Sequence, residues 1–265
     1  MQKNLIPIFL ILLFTQCATA SRNRGINTEK TTDKITTVAT TPKKSAVEKK
    51  DTIAPKVNYR KITFGKIKAQ GKIWGVDISH HQGNVDWEKL ETQKPHFIFI
   101  KATEGATNQD SKYKENYKEA KKLNILVGSY HFFTYLSNGK NQAKNFLANV
   151  KHKNGDLPLV LDAEFAKKMP TKKLVQNELI SFINTIYRGT KHYPIVYCDY
   201  DYYLEYLKNR IPERVKLWIV DYRGKPDCKW TFWQTTDKFR IEGIQGNVDF
   251  NLFNGTKKKL NNMLF

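Results

Sequence analysis

Residues 157–165 read LPLVLDAEF. Leu157, Leu159, Val160, Leu161, Ala163 and Phe165 make an apolar run behind the turn formers Asn154, Gly155 and Asp156, the pattern of a buried β-strand. Two acids sit near its end. A carboxylate removed from water without a partner is costly. Side chains alternate along a strand with period two, so Asp162 and Glu164 fall on one side of it, roughly 7 Å apart before rotamers are chosen. Taken alone, the stretch fits an ordinary strand end with solvated or capping acids as well as it fits a site, and the rest of the chain must decide.

Outward from that strand, short apolar runs alternate with amphipathic segments from Ile73 onward. The runs are Ile73–Ile78, His96–Lys101, Ile125–Phe132, the LPLVLDAE strand, Ile195–Cys198, Leu217–Asp221 and Thr231–Gln234. Between the early ones lie Asp86–Thr92, the charged segment Ser111–Leu123, Lys140–Val150, and Thr171–Tyr187, where Leu174, Leu179, Phe182, Ile183 and Ile186 recur at helical spacing. Repeated β/α units predict a parallel sheet or barrel. Connections shorten late in the chain, as in a barrel whose last third has lost its helices.

In such barrels functional groups gather at the C-terminal strand ends, where the loops meet over a packed interior. The polar residues at those positions are Asp77, Lys101 with Glu104, Tyr130 with His131, Asp162 with Glu164, Tyr197, Asp221 with Tyr222, then Gln234 and Asp249. Acids converging with aromatics suit carbohydrate hydrolysis, which needs one protonated carboxyl at the leaving oxygen and one carboxylate for the developing positive charge. Crowding and burial raise carboxyl pKa values, so clustered acids supply both states. Trp218 and Trp233 are further aromatic candidates, although large strand aromatics are more often core. Adjacent His80 and His81 lack the spacing of a metal site, so no metal is expected. His131 reads as a hydrogen-bonded core or rim residue.

The chain has 265 residues, 40% of them hydrophobic, enough for one large α/β domain. Its first twenty, MQKNLIPIFLILLFTQCATA, place Lys3 before an apolar run from Leu5 to Phe14 that is too short to span a bilayer and reads as a signal peptide. Cys17 stands where a lipoprotein signal is cut and the cysteine acylated, although Phe14-Thr15-Gln16 departs from the usual small residues; ordinary secretion with cleavage near Ala18–Ala20 is the other reading. Either way, an exported protein of the cell envelope or the medium is expected. Residues 21–61 are rich in Thr and Lys and too poor in large apolar residues to fold, so they read as a tether ahead of a domain at 62–265. The net charge of +20 favours an anionic polymer or surface. An export signal sets nucleic acid aside. Cys198 and Cys228 make no metal spacing and are read as free or undecided.

Five ordered motifs bear a resemblance. GVDISHHQGNVDW (75–87), FIFIKATEG with Asp110, Tyr113, Asn116 and VGSYHFF, PLVLDAE, WIVDY, and WQTTDKFRIEGIQGNVDFN resemble the glycoside hydrolase family 25 lysozymes, or Chalaropsis-type muramidases, over about Ile73 to Gly255. His81 stands where many members carry Trp or Tyr, and Lys238–Arg240 is less Gly-rich than usual. The resemblance implies an irregular TIM-like (β/α)5β3 barrel, a single catalytic domain that hydrolyses the β-1,4 bond between N-acetylmuramic acid and N-acetylglucosamine in peptidoglycan glycan strands. It implies no cofactor, and a monomer is expected. By motif, Glu164 resembles the general acid, Asp162 its neighbouring carboxylate, and Asp77 and Asp249 the remaining acids. Tyr130, Lys101, Tyr197, Tyr222 and Gln234 are candidate substrate contacts. A peptidoglycan-binding module without turnover and a chitin-directed hydrolase of the same fold are the competing expectations.

Overall fold

The structure is a computed structural model and describes residues 71–150 and 153–265. The expected signal peptide, Cys17, the tether, and residues 62–70 of the expected domain lie outside the described residues.

Strands β1 (Trp74–Ile78), β2 (Phe97–Glu104), β4 (Leu126–Phe132), β5 (Val160–Asp162), β6 (Ile195–Asp199), β7 (Leu217–Val220) and β8 (Phe232–Phe239) run parallel in that order. β9 (Val248–Phe253) is antiparallel to both β8 and β1, which closes the sheet into an eight-stranded barrel. A two-residue strand, β3 (Asn108–Gln109), pairs with the end of β2 as a hairpin outside the ring. Five helical connections cover the early strands: α1 (Trp87–Gln93), α2 (Tyr113–Lys122), α3 (Gly139–Asn149), α4 (Lys172–Thr190) and α5 (Tyr200–Tyr202), which runs into a π turn at Tyr203–Leu207. A last short helix, α6 (Lys257–Asn261), follows β9. The count is five β/α units and three further strands. Asp86 caps α1, accepting from Lys89 N at 3.1 Å, and Asn138 caps α3 in the same way at 2.8 Å.

Strand alternation sorts the core into two parts. Residues of one parity, among them Val76, Ile98, Ile100, Leu161, Val196 and Ile219, join the large cluster under the helices. The other parity, with Phe97, Phe99, Val160, Ile195, Trp218, Phe232 and Phe253, fills the barrel. Aromatics this large fit because glycines face them: a Cβ at Gly75 or Gly128 would overlap the rings of Phe97 or Phe99. Phe99 stacks on Trp218 with ring centroids 4.3 Å apart.

The structure corrects several expectations. β5 has three residues rather than nine, although backbone bonds from Leu157 N to Val127 O and from Ala163 N to Tyr197 O extend its pairing at both ends. Phe165 is 51% exposed and Leu174 48% exposed, so neither is core. The last third retains one helical connection, at Tyr200–Leu207, where closely spaced aromatics hide the helical period. Cys198 and Cys228 are free.

Candidate active site

Barrel-facing parity brings the predicted residues together. Asp162 follows Val160 on the inner side of β5, and Glu164 continues the alternation just past the strand. Asp77 and Asp249 face each other as register partners of β1 and β9, which puts two carboxyl groups side by side. In β2 the register slips between Lys101 and Thr103, so an extra residue bulges from the ladder. Ala102 and Thr103 then both turn toward the helices, and Lys101 and Glu104 both face the mouth, with Lys101 Nζ 2.7 Å from Glu104 Oε2.

These groups line a cavity of about 290 Å³ at the C-terminal end of the barrel. Its walls are Asp77, Lys101, Glu104, Tyr130, Asp162, Glu164, Tyr197 and Asp249, with Ser79, His81, Phe132 and Trp218. Ser79 and Phe132 were not anticipated as lining residues. Phe132 shares the parity of Gly128 and Tyr130, a signal that period-two reading of β4 contains; its ring lies under Lys101 Nζ at 4.8 Å. Ser79 caps the short turn His80–Gln82.

Two of the expected contacts stand behind the cavity. Gln234 is buried and both ends of its amide are engaged: Oε1 accepts from Tyr222 OH at 2.7 Å and from Tyr197 OH at 3.2 Å, and Nε2 donates to Asp77 Oδ2 at 3.2 Å. Neither borders the cavity: Gln234 bonds Asp77 and Tyr197, and the half-buried Tyr222 bonds Gln234. Asn251 was not anticipated at all. It donates to Asp77 Oδ2 at 2.6 Å and accepts from Trp218 Nε1 at 2.7 Å. Asp221 is taken up by Arg223 at 2.9 Å, Trp233 packs in the helix-side core, and His80 pairs with Asp110 at 2.6 Å. His131 is buried between Thr103 and Gln142, and burial pushes its pKa down to about 4, so it is neutral.

All four acids are harder to ionise than usual, in each case chiefly because burial strips water from the carboxylate. Asp77 is raised well above the ordinary range, with Asp249 adding repulsion and Asn251 and Gln234 opposing it. Asp162 is raised well above it too, with Glu164 and Asp77 adding to burial. Glu164 is raised less, because the Lys101 ammonium and a Tyr197 hydrogen bond favour its ionised form. Asp249 is raised to about 6. Asp162 Oδ1 is buried without any hydrogen-bond partner among the described residues, an unmet polar atom at the edge of a cavity. Neighbouring carboxyls that hold their protons more tightly than usual, at the open end of a barrel, are equipped for acid-assisted bond cleavage.

Comparison with known proteins returns one family across most of this barrel. Residues 76–244 match the profile of glycosyl hydrolases family 25. The chain is 33% identical over 204 residues to YegX of Escherichia coli K12, described as an uncharacterized protein, covering 74% of each chain. It is 30% identical over 215 residues to lysozyme M1 of Streptomyces globisporus, covering 75% of this chain and 73% of that one. Among solved structures, a family 25 glycosyl hydrolase from Bacillus anthracis superposes with a TM-score of 0.69 at 33% identity, covering 74% of this chain and 95% of the other.

Proposed function

The chain belongs to glycosyl hydrolases family 25, and from that premise we propose that it is a muramidase, hydrolysing the β-1,4 bond between N-acetylmuramic acid and N-acetylglucosamine in peptidoglycan. The observation that carries the reading is the convergence of Asp77, Asp162, Glu164 and Asp249 on one cavity, each with its proton held more tightly than usual.

Glu164 is the proton donor. It borders the cavity and keeps contact with solvent, and a bound glycan that displaces this water raises its pKa further. Glu164 passes its proton to the glycosidic oxygen as the bond from the sugar carbon to that oxygen breaks. The water that completes hydrolysis adds its oxygen to the sugar carbon and returns a proton to Glu164. Asp162, with Oδ1 unpartnered, orients the substrate's N-acetyl group or stabilises the oxocarbenium-like centre. Asp77 and Asp249 supply the remaining negative potential. Asn251, Gln234 and Tyr222 fix Asp77 from behind. Lys101, Tyr130 and Tyr197 are the substrate contacts, joined by Trp218 in the wall and by His81 where family members carry a larger aromatic.

The apolar run Leu5–Phe14 and Cys17 support export, with lipid attachment at Cys17, and residues 21–61 support a tether between that anchor and the barrel. The test is digestion of purified peptidoglycan followed by mass spectrometry of the fragments. A muramidase leaves muramic acid at the reducing end. Fragments ending in N-acetylglucosamine, or cleavage of chitin in preference to peptidoglycan, would replace the reading with that of a chitin-type hydrolase. No release at any pH would leave only a binding module.

A further inference from the structure

The barrel has two ends, and charge is divided between them. The mouth holds the acids described above. The opposite end is made of the segments that lead into the parallel strands, together with α6. Its exposed cations include Lys72 before β1, Lys94 before β2, Lys191 before β6, Lys216 before β7, and Lys257 and Lys258 on α6. α6 is held there by Leu260, which is fully buried and packs with Met263 and Leu264 into the barrel-filling cluster, leaving the two lysines in solvent. Among the described residues of these segments the acids are Glu213, Asp156 and, ahead of β8, Asp227, and Asp156 is buried with Tyr117 and Lys121, each at 2.7 Å.

On the sides of the barrel some lysines are matched with acids, Lys112 with Glu115 at 2.9 Å, Lys122 with Glu119 at 2.8 Å and Lys172 with Glu205 at 3.1 Å, while the exposed Lys114, Lys118, Lys140, Lys144 and Lys173 form no ion pair among the described residues. None of the six lysines on the closed end forms an ion pair among the described residues. A face where lysines outnumber the exposed acids repels itself, and an anionic surface relieves that repulsion.

We propose that this closed end docks on an anionic phospholipid surface and sets the mouth away from the membrane, toward the wall; the second clause rests on the muramidase reading. Two observations favour lipid over an anionic wall polymer. The eight-residue β2 sets the two ends of the barrel about 25 Å apart, so the basic face cannot grip the glycan segment that the cavity holds. The chain from residues 1–70 joins the barrel at Gly71 on this same end, and residues 21–61 of it carry eleven Lys and Arg against four acids. Basic segments beside a membrane attachment point are attracted to acidic lipid. Among the described residues no helix is long and apolar enough to cross a membrane, so the contact is peripheral.

The experiment uses the chain from Ala18 onward, which keeps residues 21–61 and the barrel but neither Cys17 nor the apolar run Leu5–Phe14, sedimented with phosphatidylcholine vesicles with and without phosphatidylglycerol. Binding is expected only to the anionic vesicles and is expected to weaken with salt. The variant Lys216→Gln/Lys257→Gln/Lys258→Gln should lose about a hundredfold in partitioning, at about fivefold for each lysine, while cutting soluble peptidoglycan fragments at the parent rate. Unchanged partitioning of the variant would overturn the proposal in favour of the residues before the barrel. Equal binding to neutral vesicles, or displacement from anionic vesicles by a wall polyanion at matched charge, would also overturn it. Loss of vesicle binding by the variant, together with a parent that cuts no peptidoglycan, would keep the docking face and remove the muramidase.

Discussion

Replacing Asp249 with Asn should make the protein more stable near neutral pH and leave it unchanged in acid. Burial holds the Asp249 pKa at about 6 against an ordinary 3.8, and Asp77 lies directly across β1 and β9. Between those two values the folded chain binds more protons than the unfolded one, so the stability tied to this carboxyl is fully present below 3.8 and is lost as pH rises through 6. A shift of about two units, at about 1.4 kcal/mol each, is worth about 3 kcal/mol. The amide keeps the shape of the side chain and does not titrate. Urea unfolding with linear extrapolation at several pH values measures the difference between variant and parent. That difference should climb from near zero at about pH 3.5 to about 3 kcal/mol at about pH 7.5. His131 titrates in the opposite sense, its depressed pKa adding stability as pH rises, but it does so in both proteins and cancels. A difference that does not change with pH, or a variant less stable than its parent at neutrality, would refute the electrostatic reasoning.

Lys101→Met removes the cation that favours the ionised form of Glu164, so the Glu164 pKa rises and the alkaline limb of kcat/KM moves to higher pH; a limb that stays in place would show that Lys101 does not act on the donor. Asn251→Leu keeps the volume but strips a donor from Asp77 and the acceptor from Trp218 Nε1, which should cost about 2–4 kcal/mol in urea unfolding; a loss under about 0.5 kcal/mol would mean that the pair is solvated. Gly128→Ala drives a methyl into the Phe99 ring and should cost about 1–3 kcal/mol by the same assay, and a neutral result would show a looser barrel core than the packing implies.

Period two carried most of the site in the sequence. Asp162 and Glu164 on one face, Tyr197 on the next strand and Asp77 on the first all follow from alternation along short apolar runs, and the structure places each at the mouth. Where alternation breaks, residue-by-residue reading loses its footing. The β2 bulge is what allows Lys101 and Glu104, three residues apart, to share the cavity, and nothing in FIFIKATE marks the slip. Gln234 was legible as a polar strand-end residue, but whether it meets a ligand or braces Asp77 depends on contacts between β8, β1 and the Tyr222 loop, distant in sequence. Asn251 was hidden for the same reason: it lies one turn of alternation beyond Asp249 on a strand whose antiparallel direction only the closed barrel reveals. Phe165 looked like core because it ended an apolar run, yet β5 stops at Asp162 and the chain has left the sheet by then.

The most direct measurement compares reducing-end release from purified peptidoglycan by the parent and by Glu164→Gln across pH. Gln keeps the size of the side chain and cannot carry the transferable proton, so the rate should fall by about a hundred- to ten-thousandfold, the alkaline limb set by Glu164 should vanish, and the parent's products should end in muramic acid. A Glu164→Gln protein that releases reducing ends within about threefold of the parent rate, well short of what loss of a general acid costs, would show that the proton comes from elsewhere.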